Sequence, residues 1–149
     1  MKEKIIDYYN TCWLNRFESG HNPESLAMHL GFFDSDNVDN DFAKVRTNEL
    51  IIQIINKESS EKLFIVDLGC GVGGSCFHLS NALFNSAVYG VNISKTQVGY
   101  GNNKKEQKNL SEQICFLEKD FSETGLASDI ADVVIGIESI CHAVNKRKV

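Results

Sequence analysis

From Leu63 onward, short apolar runs rich in β-branched residues alternate with polar or amphipathic stretches, behind a helical lead-in. Between Lys2 and about Phe17 the apolar positions Ile5, Tyr8 or Tyr9, Cys12, Trp13 and Phe17 recur at helical spacing, which predicts an amphipathic helix. Asn22 before Pro23 has the form of a cap with proline at the first helical position, so a short helix is expected through Leu26 to Met28. A polar loop, 34–40, follows; its Asp39 or Asn40 can cap a helix whose apolar face is Phe42, Val45, Ile51, Ile52 and Ile55 and which runs to about Lys57. Residues 58–61 then link to a first strand, Leu63 to Leu68.

A glycine-rich turn opens the next helix, with Cys76, Phe77, Ser80, Leu83 and Phe84 on its inner face. Ala87 to Asn92 reads as a second strand, and Ser94-Lys95-Thr96-Gln97 has the S-x-x-Q form that starts a helix, here running to about Asn109. Ile114 to Glu118 and Ile130 to Ile137 are the third and fourth strands. Strands alternating with helices predict an α/β fold with a parallel sheet and right-handed crossovers.

Composition narrows the function classes. At 149 residues the chain is one domain's length, and its net charge of -5 comes from scattered acids, so no basic footprint for nucleic acid or an anionic membrane is expected. The run Lys146-Arg147-Lys148 reads as a solvated face. Cys12, Cys70, Cys76, Cys115 and Cys141 are odd in number and lack C-x-x-C spacing, which argues for reduced thiols over disulfides or a zinc site. No run approaches a membrane span and the first residues lack an apolar leader core, so cytoplasmic residence is the expectation.

Candidate chemistry concentrates in the turn after the first strand, Asp67-Leu68-Gly69-Cys70-Gly71-Val72-Gly73-Gly74. Glycines at a strand-to-helix junction leave backbone N–H groups uncovered beside a positive helix N-terminus, a setting for polar or anionic ligand groups. Gly69, Gly71 and Gly74 fit the G-x-G-x-x-G spacing of dinucleotide-binding proteins, but the acidic residue expected about 20 positions on is Asn92 here. With Asp67 included, Asp67-x-Gly69-x-Gly71-x-Gly73 resembles motif I of the class I S-adenosylmethionine (SAM)-dependent methyltransferases, in which the acid and the loop hold the cofactor's methionine end. A turn that only lets a helix pack on a sheet is the plain alternative.

Other segments resemble the small-molecule branch of that family, which includes tocopherol and sterol C-methyltransferases. Met28-His29-Leu30-Gly31-Phe32-Phe33 is similar to a segment that covers the cofactor and shapes the substrate side. Gly90-Val91-Asn92-Ile93-Ser94-Lys95-Thr96-Gln97 is similar to the second cofactor motif, which implies Asn92, with Ile93 beside it, near the ribose and Gln97 in reach of its hydroxyls. Gln97 thus has a cap reading and a ligand reading. Asp120 with Phe121 falls where the family recognises adenine. Glu138-Ser139-Ile140-Cys141-His142-Ala143 resembles a strand-end motif containing the family's Glu and His; Cys141 stands where the lipid-cyclopropanating branch has a Glu.

The resemblance implies a Rossmann-like sheet with helices on both faces, preceded by N-terminal helices, of which four of seven family strands are present. It divides the chain into a helical cap segment, 1–60, and a SAM-binding half-domain, 61–149, truncated at its C-terminal side. The implied function is methyl transfer from SAM to a small-molecule or lipid-like acceptor. His142 is the candidate base, because imidazole titrates nearest neutrality, and Glu138 is a carboxylate that steadies a cation or orients the histidine if both share one helical face. Capping by Glu138 and packing by His142 are the bland alternatives. A non-catalytic SAM-binding module is the alternative function and nicotinamide binding is a third reading; besides a small-molecule substrate, the expected partner is a missing C-terminal half or, for the chain alone, aggregates or a dimer closed through the fourth strand.

Overall fold

The computed structural model describes residues 2–18, 25–34, 39–58, 61–83 and 85–149. Helices α1 (Lys2–Glu18) and α2 (Asn40–Glu58) precede an alternating unit of β1 (Phe64–Leu68), α3 (Gly74–Ala82), β2 (Ala87–Asn92), α4 (Lys95–Gln107), β3 (Ile114–Glu118) and β4 (Val133–Ile135). The chain closes with two short 3₁₀ turns, Ile140–His142 and Lys146–Lys148. No helix among the described residues is long and apolar enough to cross a membrane.

All four strands are parallel, in the order β3-β2-β1-β4. Moving outward from β1 to β2 to β3 through right-handed crossovers sets α3 and α4 on one face. The large core lies there: Ile65, Val88, Ile114 and Phe116 of the strands meet Cys76, Phe77 and Leu79 of α3, Val98 of α4, Trp13 of α1 and Ile55 of α2. The opposite face has a smaller cluster, Val66, Leu68 and Val91 with Phe121, Leu126, Ala131 and Ile140 against it. The second helical layer expected there is absent among the described residues, because the one crossover that reverses direction, from β3 to β4, runs as an irregular connection.

Local signals account for most element boundaries. The Asp39 side chain accepts from the Asp41 N–H at 2.9 Å and caps α2. The Ser94 Oγ accepts from the Gln97 N–H at the start of α4. Long-range bonds decide the exceptions. Asp132 accepts from the Phe64 N–H at 2.7 Å through its side chain and donates its own N–H to the Phe64 carbonyl at 2.9 Å, so the ladder of β4 begins only after it, with Asp129 already in a left-handed conformation. The fourth strand is therefore three residues long where eight were expected. Leu26 is also left-handed, at φ 52°, and residues 26–28 form no helix; the proposed cap at Asn22 and Pro23 lies outside the described residues, as does Phe84. Phe42 is 57% exposed, since α2 buries Ala43, Asn48 and Ile55 instead.

Reversal of the strand order between β1 and β4 opens a crevice at their carboxyl ends, where ligands bind in open α/β sheets. The loop after β1 and the segment after β4 form its sides. Gly73 shows how tightly the loop is packed: it sits at φ 96°, and a Cβ there would lie 2.4 Å from the Phe116 ring. Gly73→Ala should thus combine left-handed strain with overpacking and cost about 2–4 kcal/mol; urea denaturation of both proteins would read this as a lower midpoint at an unchanged slope.

Candidate functional site

Asp67 stands one residue before the end of the central strand, paired in register with Gly90 of β2 and Ile135 of β4. It is 3% exposed, and its carboxylate accepts from the Cys76 thiol at 3.5 Å. Burial pushes this carboxyl up to about 7, and the single thiol donor offsets only part of the effect. A buried carboxylate with so little compensation is expensive unless a cation comes to it.

The glycine turn wraps over this carboxylate. Gly69 and Cys70 donate their N–H groups to the Val91 carbonyl at 2.7 and 3.1 Å, which ties the loop to the end of β2. Across the crevice the Ser139 hydroxyl donates to the Leu68 carbonyl, and a Cβ on Gly69 would lie 2.3 Å from that of Ser139. Gly71 differs. At φ 59° its missing side chain would meet only the Met28 side chain, at 3.5 Å from the sulfur, and both residues line the cavity.

Asn92 holds the loop from a third side. Its Nδ2 donates to the Gly71 carbonyl at 2.9 Å and to Gln97 Oε1 at 2.6 Å, while its Oδ1 accepts from the Ser94 N–H at 3.2 Å. Gln97 is 2% exposed and turns its side chain into this network instead of back to the cap, with Nε2 3.8 Å from the Met28 sulfur. The S-x-x-Q signal is thus half realised: the serine caps, and the glutamine faces the cavity.

That cavity, of about 240 Å³, is lined by Asp67, Gly69, Gly71, Asn92, Ile93, Gln97, Phe121, Glu138 and His142 among the residues expected from sequence. It also takes in Tyr8, Tyr9, Trp13, Met28, His29 and Ser139. Two expected residues lie elsewhere. Gly73 caps α3 beneath Phe116 and does not line the cavity. Asp120 borders an adjoining cavity of about 290 Å³ and forms an ion pair with Lys2 at 2.8 Å. Partial burial by itself would raise the Asp120 carboxyl, but the Lys2 ammonium and two donors of Ser122 outweigh it and bring the group down to about 2.

Glu138 and His142 do not share a helical face. Glu138 is left-handed at φ 51° and precedes the 3₁₀ turn that contains His142, so four-residue spacing does not translate into one face. Both are exposed at the cavity mouth. Glu138 does not cap the turn either; its Oε1 accepts from the Leu30 N–H at 3.0 Å. His142 Nε2 lies 3.0 Å from the Tyr9 hydroxyl, with the two rings edge to face. His29 Nδ1 lies 2.6 Å from the Leu30 carbonyl, and its Nε2 is shielded from solvent without a partner. Such a buried, unpaired acceptor costs about 1–3 kcal/mol.

Sequence reasoning missed Tyr9, Trp13 and Ser139 as site residues. Helical spacing marked the first two as packing, and only α1's placement against α4, through Ser94 Oγ to Asn10 Oδ1 at 2.8 Å and Trp13 Nε1 to Thr96 Oγ1 at 3.0 Å, brings them to the cavity. Ser139 stands inside the motif after the fourth strand, but nothing local marks its bond to Leu68, 71 residues away.

Among the described residues no Lys or Arg lines the first cavity, whereas two carboxylates and four aromatic side chains do. This lining suits a cationic ligand better than a diphosphate.

Comparisons with known proteins agree with this geometry. A family model described as a methyltransferase domain matches residues 59–149. A probable chloroplastic tocopherol O-methyltransferase of Oryza sativa subsp. japonica is 30% identical over 128 residues, covering 81% of this chain and 35% of its own. Among solved structures, the [4+2]-cyclase SpnF superposes with a TM-score of 0.84 at 18% identity over 99% of this chain and 53% of its own. A geranyl diphosphate methyltransferase in complex with GPP and sinefungin superposes with a TM-score of 0.74 at 17% identity, over 91% of this chain and 54% of its own. The chain thus spans about a third of the rice relative and about half of each solved neighbour, and with the matched model covering its whole strand–helix unit, it belongs to the methyltransferase domain family.

Proposed function

We propose that this chain forms the SAM-binding part of a methyltransferase that acts on a small molecule. One observation carries the reading: Asp67, a buried and poorly compensated carboxylate, underlies a glycine turn in a cavity that no Lys or Arg lines among the described residues. A cofactor that presents an ammonium and a sulfonium fits that lining, and a nicotinamide dinucleotide with two phosphates does not. Gly71, with room beside its backbone, supports close approach of the methionine end.

SAM, when bound, supplies an electrophilic methyl group. The chain's own residues do the rest. Asp67 neutralises the ammonium, Gly69 and Gly71 border the methionine end, and Gln97 with Ile93 flanks the ribose. Asn92 holds Gln97 and the loop in register. Phe121 would flank the base, and Asp120, on the adjoining cavity, would accept from its amino group only in place of its ion pair with Lys2. Tyr8, Tyr9 and Trp13 line the same cavity and would offer aromatic surface to a sulfonium. Alignment of the acceptor with the methyl group provides most of the rate, and His142, held through Tyr9, takes a proton where the nucleophile must lose one.

A second reading, a module that binds SAM without transferring its methyl group, draws on the exposure of Glu138 and His142 at the cavity mouth.

Asp67 gives the cofactor assignment its test. A proton on a carboxyl raised from 3.8 to about 7 favours the folded, empty protein at low pH, and this advantage is lost as pH rises through about 7. A bound ammonium keeps Asp67 ionised, so SAM binding should release a proton and weaken up to tenfold per pH unit below 7. Calorimetry in buffers of different ionisation enthalpy measures both. Asp67→Asn should abolish that pH dependence and most of the affinity, while raising the melting temperature at pH 8 more than at pH 5; pH-independent binding would overturn the assignment.

Catalysis has a separate test, transfer of labelled methyl from SAM to a chromanol phenol or geranyl diphosphate. His142→Ala should leave SAM affinity within about twofold and lower transfer on the order of 10²-fold. Unchanged transfer would remove His142 from the mechanism.

We also infer that the 149-residue chain self-associates through β4, whose Val134 is 58% exposed on an unpaired edge. Light scattering should report oligomers that Val134→Lys reduces; two monodisperse monomers would contradict this.

A further inference from the structure

We propose that Lys2 latches the first turn of α1 over the cofactor cleft by occupying the Asp120 oxygen that the cofactor's adenine amino group would use, so that ligand entry and release of the latch are one event. The inference rests on the methyltransferase reading and adds a regulatory device to it: an internal cation that competes with the base of the ligand.

The competition follows from how Asp120 is divided. Its Oδ1 is held locally, accepting from the Ser122 N–H at 2.9 Å and from the Ser122 hydroxyl at 2.7 Å. Oδ2 is left for a partner from elsewhere, and the Lys2 ammonium takes it at 2.8 Å. Lys2 and Asp120 line the second cavity together with Phe121. That cavity shares Ile5, Ile93, Phe121 and His142 with the one around Asp67, so the two are compartments of one cleft. A ligand whose ammonium reaches Asp67 and whose base reaches Phe121 extends from one compartment into the other. Its amino group then arrives at Oδ2 beside a full positive charge; donor meets donor, and one must yield.

The build of α1 decides which. Its far end is anchored: Trp13 is 3% exposed and donates Nε1–H to Thr96 Oγ1 at 3.0 Å, and Asn10 Oδ1 accepts from the Ser94 hydroxyl at 2.8 Å. Lys2, Glu3 and Lys4 are exposed, and among the described residues the pair with Asp120 is the one side-chain bond from this first turn to the rest of the fold. An exposed ion pair is worth little and a helix end opens cheaply, so the ligand displaces Lys2 while Trp13 and Asn10 stay in place. The Lys2 ammonium is raised by Asp120 first and by Glu123 as well, so the released side chain keeps a neighbour of opposite charge.

Fluorescence of Trp13, the chain's single tryptophan and a wall of the first cavity, gives the test. With S-adenosylhomocysteine as the probe, Lys2→Ala should bind about threefold more tightly than the wild type at low salt, the worth of an exposed ion pair, and should associate faster in stopped flow. The gap should close at about 1 M NaCl, where the screening length falls to about 3 Å. An analogue with hydrogen in place of the exocyclic amino group should show no gap, because it leaves the latch shut. Lys2→Ala should likewise change nothing in an Asp120→Asn background, and Lys2→Arg, which keeps the pair, should bind like the wild type. Weaker or equal binding by Lys2→Ala at low salt overturns the latch, the first result making Lys2 a support for the base and the second a bystander. Failure of both proteins to bind S-adenosylhomocysteine overturns the methyltransferase reading and the latch together.

Discussion

A carboxylate buried at the end of a central strand constrains everything around it. Asp67 cannot move outward, because β1 is paired on both sides, and at 3% exposure it meets little water except from the cavity it lines. The fold offers it a single thiol. Folding the empty protein therefore costs stability that a cationic ligand returns on binding, and the cavity is the place where that cation enters. Reversal of strand order between β1 and β4 supplies the space; the carboxylate supplies the selection of charge.

The loop above Asp67 is held from three directions, each by a different part of the chain. Val91 at the end of β2 takes two of its N–H groups, Asn92 takes the Gly71 carbonyl, and Ser139, beyond β4, ties down the Leu68 carbonyl. Such over-determination is what keeps several left-handed residues in place. Asn at position 92 suits this role, since it donates twice and accepts once, which a carboxylate cannot do. The consequence is that Asn92 is spent on the protein, while its partner Gln97 also lines the cavity.

Elements specified by local chemistry were legible in the sequence. The second and third strands coincide with their apolar runs, α4 begins at its serine cap, and Asp67 with its glycines marks the site. What escaped depends on partners remote in sequence. Nothing near Asp132 announces that it bonds to Phe64 and shortens β4, nothing near Lys2 announces Asp120, and Tyr9 reads as one more apolar position until α1 is laid across α4. Phe42 faces outward because helical periodicity identifies a face without saying which neighbour covers it, and α2 turns Ala43, Lys44, Asn48 and Ile55 inward, with Ala43 against Gly31. Glu138 and His142 were paired by counting, whereas a left-handed residue makes counting meaningless.

The two ends of the site differ in completeness, and this bears on what the chain can do. At the methionine end the groups are buried, bonded and in register. At the acceptor end Glu138 and His142 meet solvent, and α1 closes the cavity through a tyrosine–histidine contact and an ion pair at its first turn. Water at that end screens charges and leaves an acceptor poorly aligned, which penalises turnover far more than cofactor binding. Under the proposed function, affinity for SAM and methyl transfer are thus separable: the first would rest on the residues between Asp67 and Gln97, and the second would require the mouth near Glu138 and His142 to be closed over an acceptor.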